Sequence, residues 1–269
     1  VQVLLTYKLI ALDIDGTLVN DQHEIMPLTK KIVQRAARNG LMIVLCTGRG
    51  PLNTLPILRE LGIAGYMLNH NGAMTCYSEP FDVIDQDCFK IRNVEAIIEY
   101  CRKQKIHFDV CTANHLYCES LPQLAEQMYE QFLIHPILHE NLLQMTEPVL
   151  KLTLFGTTAE MDQAQRDCAL LTRDLSLIRS DTMSIDFVLP HVSKGRALAK
   201  LCEQLKISAE QVIAIGNYYN DLQMLEFAGV GVAMGNSPAD LQTIADEITL
   251  SNNEEGVYYT LKKHLQMNV

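Results

Sequence analysis

The chain has 269 residues, 48% of them hydrophobic and 20% charged, with a formal net charge of -10. This composition describes a folded globular protein of one large or two moderate domains and excludes a disordered or fibrous chain; the acidic balance argues against a broad nucleic-acid surface, which needs clustered Lys and Arg. No apolar run approaches the ~20 residues that span a bilayer, the N-terminal run is broken by Lys8 and Asp13, and the eight cysteines are scattered without a C-x-x-C pair, so a reduced, cytoplasmic protein with no membrane partner is expected.

In chain order, Leu9 to Ile14 reads as a buried strand, Pro27 to Asn39 as a helix with Ile32, Val33, Ala36 and Ala37 on one face, and Met42 to Cys46 as a second strand. The next helix contains Pro56, which is best tolerated in a first turn, so Asn53 or Thr54 is the expected cap. About one hundred residues between Phe81 and Phe187 are long enough for a module of their own. They hold a helical pattern at Val94 to Lys103, strand patterns at Phe108 to Cys111, Tyr117 to Glu119 and Leu150 to Phe155, and a helical stretch around Met161 to Leu175. His135 and His139 have i,i+4 spacing, but Pro136 argues against a metal-binding helix and favours a loop or helix entrance. Beyond the insertion, Val212 to Ile215 and Gly229 to Met234 read as buried strands, Leu222 to Phe227 as a helix, and Ser237-Pro238 as the start of a final helix. Alternation of strands and helices predicts an α/β fold with a doubly wound parallel sheet.

Four short segments carry the chemistry: Asp13-Ile14-Asp15-Gly16-Thr17-Leu18, Thr47-Gly48-Arg49, Ser193-Lys194-Gly195 and Gly216-Asn217-Tyr218-Tyr219-Asn220-Asp221. The first delivers two carboxylates at the end of a buried strand, the usual place for ligand sites in open parallel sheets. Strand alternation would point Asp13 and Asp15 the same way. With Asn71-Gly72-Ala73, Gly231 to Asn236 and Glu254 to Val257 in order along the chain, the pattern resembles the haloacid-dehalogenase superfamily hydrolases, and within them the Cof-type, subfamily IIB phosphatases.

The resemblance implies a Rossmann-like core, residues 1–81 and 188–269, and an inserted α/β cap, residues 82–187, that governs substrate choice, with hinges near Pro80 and Pro190. It implies a magnesium-dependent phosphatase acting on a small phosphorylated metabolite, a sugar phosphate or related phosphomonoester. Asp13 would be the nucleophile that forms an aspartyl phosphate, and Asp15 the acid that protonates the leaving oxygen and then the base for water. Thr47, Gly48, Lys194 and Asn220 would bind phosphate, and Asp13, the backbone carbonyl of Asp15, Asn217 and Asp221 would hold Mg2+. A cation is needed because two unit charges ~4 Å apart repel by roughly 4 kcal/mol at an effective dielectric of 20. Arg49 is assigned to a structural or loop contact, and the insertion residues His107, Asp109, His115 and Tyr117 are polar or aromatic candidates given no role.

The subfamily pattern G-D-x-x-N-D carries an acid where this chain has Asn217. An amide keeps a carbonyl oxygen but lacks the charge, so weaker metal support is expected, with Asp221 as a compensating acid. A phospho-ligand binding or regulatory protein with weakened catalysis is the alternative; a phosphoacceptor signalling domain fits the Asp13-x-Asp15 spacing and the long insertion poorly.

Overall fold

The structure, a computed structural model, describes residues 7–131, 134–172 and 174–266. It divides into two compact units, one formed by the chain up to Ile84 and from Ser193 onward, the other by Asp85–Val192. The first join falls within a strand that runs over Phe81–Gln86, and at the second Ser193 caps the helix that re-enters the first unit.

The first unit begins with β1 (Leu9–Leu12), α1 (Pro27–Arg38), β2 (Met42–Cys46), α2 (Pro51–Leu61), β3 (Tyr66–Asn69), β4 (Met74–Ser78) and β5 (Phe81–Gln86). The second contains α3 (Glu95–Gln104), β6 (His107–Cys111), β7 (Leu116–Cys118), α4 (Gln123–Gln131), β8 (Ile137–Leu138), β9 (Lys151–Phe155), α5 (Thr158–Cys168), β10 (Ser176–Asp181) and β11 (Ser184–Val188). The first unit resumes with α6 (Lys194–Leu205), β12 (Val212–Gly216), α7 (Leu222–Phe227), β13 (Val230–Ala233), α8 (Ala239–Ile244), β14 (Glu247–Ile248) and α9 (Gly256–Leu265).

The first unit's sheet has the order β14-β13-β12-β1-β2-β3-β4-β5, parallel from β14 through β3, with β4 antiparallel to β3. Its central strands are apolar throughout because both faces are covered. Leu9 and Ala11 join Val44, Cys46, Val212 and Ala214 against Leu198, Leu201 and Leu225, while the alternate residues Ile10, Leu12, Ile43 and Leu45 are equally buried on the opposite face. The strand order reverses direction at β1, where a crevice at the carboxyl ends is the expected ligand position.

In the second unit the sheet order is β10-β11-β9-β6-β7-β8, antiparallel except for the β7–β8 pair. Phe108, Val110, Leu152, Leu154, Ile185 and Phe187 pack with Ile97 and Cys101 of α3 and with Met161 and Cys168 of α5. The intervening residues carry the polar side chains, and Asp109, Thr153 and Asp186 line up directly across β6, β9 and β11.

Several local expectations change. The first strand stops at Leu12 instead of Ile14, since the Ile14 carbonyl accepts the N–H groups of Thr17, Leu18 and Val19 in a tight turn. Helix α2 starts at Pro51, whose missing N–H costs nothing at a first position, and Pro56 lies inside it rather than in its first turn. The helical stretch toward Leu175 ends at Cys168, and Ile137–Leu138 between the two histidines forms a short strand beside β7. Helix α8 is not the last, because α9 follows and packs along α1. All eight cysteines are free thiols. Among the described residues no helix is long and apolar enough to cross a membrane.

Candidate active site

Parallel pairing brings the ends of β12, β1, β2 and β3 together, and the predicted site residues follow directly on them. Leu12 pairs with Ile215 on one side and Leu45 on the other, so Asp13, Thr47 and Asn217 leave the sheet side by side. The Asp13 N–H still bonds the Ile215 carbonyl at 3.0 Å, and the Thr47 N–H bonds Leu68 at 2.8 Å.

Asp13 is 5% exposed and Lys194 1%. The Lys194 ammonium stands 2.7 Å from Asp13 Oδ1 and 2.7 Å from Asp221 Oδ1. Ser193 precedes it as the cap of α6, its hydroxyl accepting the Arg196 N–H, so the helix start aims the lysine inward. Burial and the neighbouring Asp221 push the Asp13 carboxyl up to about 7 against the opposing pull of Lys194. Burial disfavours the charge on Lys194, but Asp13 and Asp221 more than offset it and hold its pKa above the ordinary lysine range.

Asp15 occupies a different environment. Its side chain is 42% exposed. Arg49 grips it in a bidentate pair, Nε to Oδ2 at 2.8 Å and Nη2 to Oδ1 at 2.5 Å, and His23 Nδ1 lies 3.8 Å from Oδ1. Strand alternation does not orient these two acids, since both lie beyond the end of β1. Arg49, read as a loop contact in the sequence, thus holds one of the two signature carboxylates directly. Its backbone N–H is in turn received by Thr47 Oγ1 at 3.1 Å.

Asp221 is fully buried, and its second oxygen accepts the backbone N–H groups of Asn217 and Tyr218 at 2.8 and 3.1 Å. One of its oxygens is engaged by Lys194 and the other by the loop, which makes it the anchor of the lysine. Gly216 permits this closeness, because a Cβ there would stand 2.6 Å from Asp221 Cβ.

Asn220 donates to Asn71 Oδ1 at 3.0 Å. Asn71 is fully buried, takes φ +57°, and donates its N–H to the Thr47 carbonyl at 3.0 Å. It joins Gly48 and Asn220 in one corner of the site, its Oδ1 lying 3.3 Å from where a Cβ on Gly48 would stand. No role was assigned to it from sequence; the Asn-Gly pair after a strand was the available signal.

The side-chain amide of Asn217 points at the two signature acids. Its inner atom, Oδ1, accepts the Thr17 hydroxyl at 3.2 Å and lies 2.9 Å from the Asp15 carbonyl oxygen and 3.0 Å from Asp13 Oδ2. Among the described residues no three His, Cys, Asp or Glu side chains converge as a metal-binding group. A hydrated Mg2+ needs only one or two carboxylates beside other oxygens. Asp13 Oδ2, the Asp15 carbonyl and Asn217 Oδ1 fit such an ion.

Within the second unit, His107 Nε2 and the Tyr129 hydroxyl are 2.7 Å apart, and that hydroxyl donates to Asp109 Oδ2 at 2.8 Å. Lys151 pairs with Asp186 at 3.0 Å beside them. His107 and Asp109 thus belong to a buried network, whereas Tyr117 donates to Glu147 and His115 is exposed.

A family model described as haloacid dehalogenase-like hydrolase matches residues 10–261. Phosphatase YwpJ of Bacillus subtilis (strain 168) is 29% identical, the alignment covering 95% of this chain and 99% of that protein. The 5-amino-6-(5-phospho-D-ribitylamino)uracil phosphatase YwtE of the same strain is 30% identical, covering 96% and 98%. The solved structure of BT4131, described as a subclass IIB sugar phosphatase, shares the fold with a TM-score of 0.85 at 24% identity, covering 96% and 99%. The chain belongs to the haloacid dehalogenase-like hydrolases, has their subclass IIB fold, and is a phosphatase of that family.

Proposed function

We propose that the protein hydrolyses small phosphomonoesters through an aspartyl phosphate on Asp13. The observation that carries this reading is the unequal setting of the two acids, one buried on Lys194 and the other half-exposed on Arg49. Separate environments suit separate duties. An Asp13 oxygen attacks phosphorus as the ester P–O bond breaks, and Asp15 delivers a proton to the departing alkoxide. Asp15 then takes a proton from water as its oxygen attacks the aspartyl phosphate, which frees inorganic phosphate and restores both acids. Lys194, the Thr47 hydroxyl and the Asn71–Asn220 corner supply a charge and donors for the phosphoryl oxygens.

Mg2+ bound by Asp13, the Asp15 carbonyl and Asn217 would offset the repulsion between nucleophile and phosphate. The likeness to YwtE supports a phosphate carried on a polyol or sugar-like chain as substrate. The inserted unit, 85–192, is assigned substrate selection. A second reading, a phospho-ligand binder with little turnover, is favoured by Asn217 alone.

Phosphate release from a panel of sugar and polyol phosphates, with Mg2+ or with EDTA, tests the proposal. Turnover that needs Mg2+ and disappears in Asp13→Asn supports it. Tight binding of these esters without turnover supports the second reading.

A further inference from the structure

Two signature segments, Gly231 to Asn236 and Glu254 to Val257, take no part in the reaction as described, yet in the fold they border the residues that hold the turn carrying Asp15. The Asn236 amide donates to the Gly16 carbonyl at 2.9 Å, and its Oδ1 accepts the Asn252 N–H at 3.1 Å. Asn252 is 5% exposed and donates its own amide to the Val19 carbonyl at 3.2 Å and to Asp21 Oδ1 at 3.0 Å. Asn253 closes a ring with Asp21, its amide on Oδ2 at 2.8 Å and its Oδ1 receiving the Asp21 N–H at 3.1 Å. Glu255 then takes the Leu28 and Thr29 N–H groups where α1 begins. Each of these amide nitrogens meets only accepting oxygens, and each amide oxygen named meets an N–H, which fixes their orientation.

The turn's internal bonds keep it compact without fixing where it stands. The Ile14 carbonyl accepts the Thr17, Leu18 and Val19 N–H groups, and Asn20 accepts those of Gln22, His23 and Glu24. All of these would survive a swing of the turn as a body. We infer that Asn236 and Asn252 are positioning residues for the phosphatase reaction: as a linked pair of amides they clasp the Gly16 and Val19 carbonyls and hold the turn where the Asp15 carboxyl reaches the leaving oxygen. Arg49 sets the direction of that carboxyl, and the clasp sets its place. Proton delivery needs hydrogen-bond reach, so a displacement of about 1 Å costs on the order of 100-fold in rate.

This rests on reading Asp15 as the proton donor of the proposed reaction, and the test separates the two. Asn236→Ala and Asn252→Ala are compared with the unaltered protein on a sugar phosphate, whose alkoxide leaves only with a proton, and on p-nitrophenyl phosphate, whose phenolate leaves without one. Because kcat/KM reports the steps up to P–O cleavage, it should fall roughly 10- to 100-fold for the sugar phosphate and less than about threefold for the aryl ester. A tether that merely supports the fold would lower both alike. Hydrogen exchange over residues 14–24, measured without substrate, should be faster in both variants. Asn236, at an exposed position, supplies the milder variant should Asn252→Ala fail to fold. Equal losses on the two esters, or unchanged exchange, would overturn the inference. Inertness of the unaltered protein toward every phosphomonoester overturns the proposed reaction instead, and exchange alone then decides whether the clasp holds the turn.

Discussion

Arg49 and Asp15, thirty-four positions apart, form a two-pronged ion pair with contacts of 2.8 and 2.5 Å at the mouth of the site. The planar guanidinium fixes the direction of the carboxylate as well as its charge, which a lysine cannot do. Arg49→Lys should therefore lower kcat roughly 10- to 100-fold, because the proton donor and acceptor loses its bearing. Steady-state kinetics beside a melting curve checks this: the rate should fall while Tm changes little, and an unchanged kcat would remove Arg49 from the positioning of Asp15.

Lys194 neutralises two buried acids at once. Lys194→Met leaves Asp13 and Asp221 facing each other without a counter-charge, and breaking a buried pair in this way costs about 3–5 kcal/mol. Urea unfolding at neutral pH should show a loss of that order. Asp221→Asn combined with Lys194→Met should recover part of it, since one of the stranded charges is gone.

The His107–Tyr129–Asp109 chain predicts opposing pH effects. Burial lowers His107 to about 4, so the folded state binds fewer protons than the unfolded chain and His107's contribution is lost as pH falls from about 6.5 toward 4. Burial raises Asp109 to about 6, so the folded state binds more protons and stability declines as pH rises from about 4 to 6. Each effect is on the order of 3 kcal/mol, and together they nearly cancel. Asp109→Asn should make stability climb with pH across this window, and His107→Gln should make it fall. Tm measured from pH 4 to 7 distinguishes the two slopes, and equal slopes would show that neither group is titrating as described.

Glu255 caps α1 from the far end of the chain. Its carboxylate accepts the Leu28 and Thr29 N–H groups at 3.0 and 2.7 Å and the Thr29 hydroxyl at 2.6 Å. No side chain at Met26, the residue preceding the helix, performs this service. Glu255→Ala should cost about 1–2 kcal/mol in chemical unfolding, and Glu255→Gln less, because the amide oxygen still accepts while the charge at the positive end of the helix is gone.

The apolar strands, the two-unit length and the order of the four motifs were legible directly, because buried parallel strands are continuous hydrophobic runs and the signature residues sit immediately after them. Asp13 stands out by its place after a buried strand, Lys194 only because the other motifs accompany it, and Asn217 only against the subfamily pattern. What each does was decided by chain crossings. Asp221 anchors Lys194 because β12 and α6 converge so that Lys194 and two backbone N–H groups meet its oxygens. The turn after β1 carries Asp15 to Arg49, and Asn71 reaches Asn220 only because β3 and β12 end on the same side of the sheet. Residue identity and strand periodicity are local properties of the chain. Partnership between side chains thirty to two hundred positions apart is a property of the register in which the strands pair, and only the folded sheet supplies it.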